Sequence, residues 1–291
     1  MPTSGILTGL FGTTRLRHMK KKKLKSLVLF GNGINCEHET AYANRLAGFE
    51  AALVHIDEMM ENPKSIHQYR FINFPGGFLD GDDLGSAKAQ AVKWKYQKIK
   101  ESTLRFIDEL IKFVSDGKII IGICNGFQLL VKTGLLPATE GRYGKQTATL
   151  APNDSGRFED RWVLLRINQF SHCIFTKDMD RIYLPVRHGE GKCIIDAPEN
   201  RALMHERGNV VVQYTDEAGK VADAYPHNPN GSTDAIAGLT DPTGRIFGLM
   251  PHPEAFVHYT QHPRWTREAL GVEGDGLKIF KNAHKYILEN E

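Results

Sequence analysis

The chemistry in this sequence centres on a cysteine. Gly122-Ile123-Cys124-Asn125-Gly126 sets Cys124 between an apolar run and a helical segment, Phe127 to Lys132, which is the form of a nucleophile elbow. The flanking glycines permit a tight strand-to-helix turn that thrusts the side chain beyond the carboxyl end of a sheet. A free thiol is only slightly ionised at pH 7, and a helix N-terminus with a nearby imidazolium favours the thiolate. A cysteine drawn at random is more often a buried, inert one. The elbow reverses that for Cys124, whereas Cys36, Cys173 and Cys193 lack such a setting and read as core or incidental thiols, Cys36 with a minor structural role near a βα turn.

A thiolate attacking a carboxamide needs a proton shuttle and donors for the oxyanion. Pro251-His252-Pro253-Glu254 follows an apolar run, Arg245 to Met250. Its prolines predict an extended backbone, on which residues two apart project to one side and Glu254 orients His252. Among the 12 histidines, His188 in Arg187-His188-Gly189-Glu190-Gly191 is the second candidate base, ranked lower because glycine between His188 and Glu190 fixes nothing. Oxyanion donors are expected from the Asn125 amide and from the glycine turn Phe74-Pro75-Gly76-Gly77-Phe78, at Gly77 and Phe78. Gln128, four residues after Cys124, lies on the nucleophile's face of the helix. His252, His258 and His262 show neither a helix signal nor a partner at zinc spacing, so no metal is expected.

These residues need a sheet to bring them together. Leu27 to Phe30, ending at Gly31, with a helix from about His38 to Gly48, begins a strand-turn-helix pattern that continues with strands at Ala51 to Ile56 and Tyr69 to Phe74. A long amphipathic segment is predicted from about Ala87 to Phe113, with Val92, Tyr96, Ile99, Leu104, Ile107 and Ile111 as its apolar side and lysines 88, 93, 95, 98 and 100 mainly opposite, as a solvated face. Lys118 to Ile123 is almost uniformly apolar, as a central parallel strand covered on both faces requires. Strands connected by helices imply a doubly wound α/β sheet. Val210 to Tyr214, Ala235 to Leu239 and Arg245 to Met250, separated by turn-rich stretches, predict an antiparallel excursion.

Composition sets the outer limits. With 291 residues, 41% hydrophobic and 24% charged, the chain can bury a large core, and a net charge of +3 gives no case for nucleic acid as a partner. No apolar run approaches the roughly 20 residues needed to cross a bilayer. Four cysteines without Cys-x-x-Cys spacing point to a reducing cytoplasm. Residues 1–23, with the lysine run 20–23, read as a disordered leader or tag before a domain spanning 24–291, whose last part is a C-terminal helical extension.

The chain resembles the class I glutamine amidotransferases, and within them the glutaminase subunit of phosphoribosylformylglycinamidine synthase. The resemblance rests on Gly122 to Gln128, Pro75-Gly76-Gly77-Phe78 with Gly81-Asp82-Asp83, His188-Gly189-Glu190-Gly191, Asn228-Pro229-Asn230-Gly231-Ser232, and Gly248 to Glu254. It implies a flavodoxin-like fold, mostly parallel. It also implies a γ-glutamyl thioester on Cys124 with His252 and Glu254 completing a triad, an oxyanion site near Gly77 and Asn125, and glutamine held by Gln128, His188, Gly189 and Glu190. Converting an amide to an amidine requires ATP, and the sequence has no Gly-x-x-x-x-Gly-Lys-Ser/Thr loop. No cofactor is therefore expected on this chain. ATP and Mg are expected on a large synthase subunit, accompanied in some members by a small bridging subunit. The rival readings are a free-standing cysteine amide hydrolase of the same fold and, from another class, a flavin- or nucleotide-binding module with an incidental cysteine.

Overall fold

The structure is a computed structural model that describes residues 23–99 and 104–290. Residues 1–22 of the leader, with lysines 20 to 22, and Lys100 lie outside the described residues. Strand β1 (Lys25–Phe30) leads through helix α1 (Glu37–Ala47) to β2 (Glu50–His55), and α2 (Ile56–Glu61) precedes β3 (Phe71–Phe74). Helix α1 places Glu37 and Glu39 in its first turn, where they complement the helix dipole, and ends at Gly48 in the left-handed conformation (φ 109°). Helices α3 (Lys88–Tyr96) and α4 (Phe106–Ser115) precede β4 (Ile119–Ile123), and α5 (Asn125–Thr133) follows it at once. All of β4 is buried, and each fully buried isoleucine contributes roughly 1.5–3 kcal/mol.

The remaining elements are β5 (Ala148–Ala151), β6 (Glu159–Ile167), β7 (Arg181–His188), β8 (Lys192–Ile195), α6 (Pro198–Glu206), β9 (Val210–Thr215), β10 (Ile236–Thr240), β11 (Ile246–Leu249) and α7 (Asp275–Glu289). They complete a nine-stranded sheet of order β2-β1-β3-β4-β11-β10-β9-β6-β7, with β5 and β8 forming a separate antiparallel pair. Pairing is parallel from β2 to β11 and antiparallel from β11 to β7. The flavodoxin-like α/β reading is therefore met in the first half of the sheet, and the antiparallel excursion is larger than expected, because β6 and β7 join β9 and β10. Strand β11 belongs to both halves: Gly248 is in register with Gly122 of β4 on one side and Leu239 of β10 on the other.

The long amphipathic segment departs from expectation. It is divided into α3 and α4, with an antiparallel bridge between Lys98 and Arg105. In α3 the buried residues are Gln90, Ala91 and Trp94, while Val92 and Tyr96 are exposed. Trp94 faces the core: its fully buried indole packs on Phe74 at 5.2 Å and on Phe106 at 4.8 Å between ring centroids, a large aromatic contact that leaves Val92 and Tyr96 on the outer side of the helix. The C-terminal helix α7 is joined closely to the rest. A Cβ at Gly276 would lie 1.9 Å from the Pro253 carbonyl oxygen, so α7 starts in backbone contact with the turn after His252. No helix among the described residues is long and apolar enough to cross a membrane.

Candidate active site

The loops after β1, β3, β4 and β11 converge at the carboxyl edge of the parallel strands, near the point where the strand order reverses between β1 and β3, the usual ligand crevice of such sheets. Cys124 leaves β4 with φ 50° and ψ −104°, a backbone state that costs a non-glycine residue of order 1–3 kcal/mol. Its neighbours enforce this bend. A Cβ at Gly126 would lie 1.9 Å from the Phe74 carbonyl oxygen, and one at Gly122 would lie 2.6 Å from that of Gly126. Helix α5 can start this close to β3 and β4 only because both positions lack side chains. The Cys124 amide donates to the Leu249 carbonyl at 2.8 Å, tying the elbow to β11, the strand that leads into His252.

His252 Nδ1 lies 2.6 Å from Glu254 Oε1, and both residues are 2% exposed. The pairing is as expected, but its backbone is not: Pro253–Ala255 forms a 3-10 turn rather than an extended segment. The carboxylate accepts from Nδ1 and leaves Nε2 as the free nitrogen of the ring; Nε2 is buried without a hydrogen-bond partner among the described residues. Burial works against protonation of the ring, yet the charge of Glu254 and the adjacent Cys124 outweigh it and hold His252 well above the ordinary 6.5. A Cβ at Gly76 would lie 2.7 Å from His252 Cε1 and 3.4 Å from Cys124 Cβ, so the imidazole and the nucleophile meet over a bare glycine. The Cys124 thiol itself lies 3.4 Å from the Arg187 carbonyl oxygen.

The expected oxyanion donors separate. The Phe78 amide is engaged with the Gly33 carbonyl at 2.8 Å, so Phe78 is removed from that role: the turn folds back on the β1 loop and consumes this donor. The Gly77 amide has no acceptor among the described residues, and the Asn125 amide, at the first helical position of α5, has none within its helix. The Asn125 side chain accepts from the Leu79 amide at 3.1 Å and donates to Gln128 Oε1 at 2.9 Å and Asp82 Oδ1 at 3.3 Å. Gln128 is therefore a strut, its oxygen engaged by Asn125 and its nitrogen donating to the Glu190 carbonyl.

Glu190 Oε2 accepts from the Ser86 amide at 3.2 Å and lies 3.7 Å from Lys132 Nζ, whose pKa burial pushes down. Gly189 accepts from the Asn153 amide at 2.9 Å. His188, the second candidate base, is buried and pushed down to about 3 by desolvation and by the charge of His252, so it stays neutral and does not compete with His252. Asn228 to Ser232 brace this loop from behind: Asn230 Nδ2 donates to the Gly191 carbonyl at 2.8 Å, and Ser232 Oγ accepts from the Cys193 amide at 2.9 Å.

Cys36, incidental by its sequence setting, lies against the imidazole. Its Sγ lies 4.0 Å from His252 Nδ1 and 3.3 Å from Asn35 Oδ1, and burial raises its pKa. The signal available was its place after β1, at the same sheet edge as Cys124. Cys36, His252 and Glu254 bring possible metal ligands within 4.8 Å of one another, but His252 Nδ1 is already engaged by Glu254 and the buried Cys36 thiol holds its proton. The trio is thus a hydrogen-bonded cluster suited to orienting the imidazole.

Residues 23–287 match the CobB/CobQ-like glutamine amidotransferase domain. The phosphoribosylformylglycinamidine synthase subunit PurQ of Dehalococcoides mccartyi is 49% identical over 264 residues, covering 91% of this chain and 98% of that protein. The subunit of the same name from Methanococcus maripaludis strain S2 is 42% identical over 276 residues, covering 90% and 97%. A chain in the structure of PurLQS from Thermotoga maritima superposes with a TM-score of 0.66 at 29% identity, covering 91% of this chain and all of that one. The chain therefore belongs to the class I, CobB/CobQ-like glutamine amidotransferases.

Proposed function

We propose that the chain is the glutaminase subunit of phosphoribosylformylglycinamidine synthase, releasing ammonia from glutamine for a partner that converts formylglycinamide ribonucleotide to formylglycinamidine ribonucleotide. The observation that carries this reading is His252 held between two neighbours, its Nδ1 2.6 Å from Glu254 Oε1 and its Cε1 meeting Cys124 Cβ over Gly76. The Cys124 thiolate attacks the γ-carboxamide carbon, and the Gly77 and Asn125 amides hold the oxyanion. His252 Nε2–H protonates the departing nitrogen, the C–N bond breaks, and ammonia leaves a γ-glutamyl thioester. His252 then takes a proton from water, the resulting hydroxide attacks the thioester, the C–S bond breaks, and glutamate departs. Gln128, Gly189 and Glu190 shape the wall that receives the amino acid portion.

Ammonia set free in water at neutral pH is protonated and no longer nucleophilic, so transfer must occur within an assembly that excludes solvent. In this reading the partner is a large synthase subunit, which holds ATP and Mg²⁺, accompanied in some members of the family by a small bridging subunit, and this chain itself takes no cofactor. The cytoplasm suits four unpaired cysteines. In the reconstituted assembly, Cys124→Ala should abolish synthesis from glutamine and leave synthesis from ammonium salts intact. Equal loss with both nitrogen sources contradicts the division of labour, and high glutamine turnover by the isolated chain favours a free-standing hydrolase.

A further inference from the structure

The antiparallel end of the sheet returns to the nucleophile. The His252 amide donates to the Pro185 carbonyl of β7 at 2.8 Å, although β10, β9 and β6 lie between β11 and β7. Two residues on, the Arg187 carbonyl reaches the Cys124 thiol. The surroundings of Cys124 therefore have two walls, the turn after β3 with Gly77 and Phe78, and the loop after β7 with His188, Gly189 and Glu190. Two contacts join these walls. One is polar, from the Ser86 amide to Glu190 Oε2. The other is apolar: the rings of Phe78 and Phe158 lie 6.3 Å apart and tilted by 32°, within the range of favourable aromatic pairs. Phe158, just ahead of β6, reaches the second wall itself, since a Cβ at Gly189 would lie 4.0 Å from its ring.

Both rings face solvent, Phe78 at 44% and Phe158 at 53% exposure, and both stand on fixed backbone. The Phe78 amide donates to the Gly33 carbonyl at 2.8 Å, and its carbonyl accepts from the Gly81 amide at 2.9 Å. The segment leading to Phe158 is closed by the Gly156 amide on the Asn153 carbonyl and by Asn153 Nδ2 on the Arg157 carbonyl, both at 2.9 Å. The Asn153 amide in turn holds the Gly189 carbonyl at 2.9 Å. Single exposed hydrophobic side chains are common and need no explanation. Here two half-exposed rings from opposite walls meet each other beside the nucleophile.

We propose that Phe78 and Phe158 are sealing residues, an apolar rim onto which the large synthase subunit closes, so that ammonia released at Cys124 passes to the partner and not into water. The inference rests on the glutaminase reading. Ammonia that meets water at neutral pH takes a proton and ceases to be a nucleophile, and an apolar rim covered by a partner excludes that water. Each ring already covers part of the other, and the remaining area is aromatic, the surface type enriched where proteins join. A second copy of this chain seated there would close the site without supplying an acceptor for the ammonia, which leaves the synthase subunit as the occupant.

The test counts two products in the assembled synthase with the partner subunits in excess: glutamate released per formylglycinamidine ribonucleotide formed. Phe158→Ala should raise this ratio at least twofold, while glutamine turnover and ammonium-dependent synthesis stay near their unsubstituted values. Phe158→Leu, which keeps apolar bulk, should restore most of the coupling. Phe158→Gln, which keeps bulk but attracts water, should raise the ratio as alanine does, and it serves if the alanine variant does not fold. An unchanged ratio in Phe158→Ala or Phe158→Gln overturns the inference. Equal loss of both activities with the ratio preserved also overturns it, since that is the result of a merely structural role. Absence of glutamine turnover in the unsubstituted assembly overturns the glutaminase reading, and this inference with it.

Discussion

The two halves of the sheet position their functional groups by different physics. In the parallel half, from β2 to β11, backbone sterics do the placing: Cys124 is held at a positive φ by glycine contacts at positions 122 and 126, and His252 sits over Gly76. In the antiparallel half, side-chain hydrogen bonds do it. Asn153, Asn230 and Ser232 knit the 188–191 loop to its surroundings. Sterics resist any change of shape, whereas hydrogen bonds can be removed one at a time. Changes in the first half should therefore destroy the chemistry, and changes in the second should weaken substrate binding.

The sharpest attempt to break this comparison is Gly126→Ala. The added methyl meets the Phe74 carbonyl, and overpacking of this kind costs about 1–3 kcal/mol. A melting temperature lowered by roughly 3–10 °C, with nearly complete loss of glutaminase activity, is expected; normal turnover would show that the elbow tolerates displacement. Next, Glu254→Gln keeps the shape of the triad but removes the charge that orients and stabilises the protonated His252. Turnover should fall by about 10²–10⁴, less than in Cys124→Ala, and a fully active variant would remove Glu254 from the triad.

Asn230→Ala probes the other half. It strips the Gly191 carbonyl and Tyr214 hydroxyl of a donor, at about 1–3 kcal/mol of stability. Saturation kinetics should show KM for glutamine raised several-fold with kcat little changed, and a fall confined to kcat would erase the distinction between the halves. The smallest effect is on stability against pH. His188, depressed to about 3, stays neutral when folded but protonates near 6.5 when unfolded, so its contribution is lost as pH falls from 6.5 towards 3. His252, raised above 6.5, acts in the opposite sense, its contribution being present below 6.5 and lost as pH rises through the higher folded value. Melting curves should therefore decline less between pH 6 and pH 4 in His188→Leu than in the unsubstituted protein, and equal slopes would contradict the neutral assignment.

Much of the parallel half was legible because its signals are local. The uniformly apolar β4, the glycines around Cys124 and the His-Pro-Glu sequence each state their role within a few residues. Strands β6 and β7 were missed for the complementary reason. Strand β6 mixes charged and half-buried positions without clean alternation, β7 contains Pro185, and their burial depends on pairing with β9 and with each other. The division between α3 and α4 was hidden because Trp94, not the apparent apolar stripe, turns α3 towards the core. Asn153 and Cys36 act on histidines far away in sequence, a relation that spacing does not express. The Gly76-Gly77-Phe78 turn was located, but which of its amides remains available depends on Gly33, on a different loop.

Two thiols, at Cys36 and Cys124, stand close to His252, and only Cys124 is expected to act as the nucleophile. Intact-mass and peptide analysis after treatment with a glutamine-derived electrophile, in the presence of the synthase subunits, tests that assignment most directly. A single adduct on Cys124 is expected, absent in Cys124→Ala and slowed in His252→Ala. An adduct on Cys36, or glutamine turnover that persists after Cys124 is replaced, would contradict it.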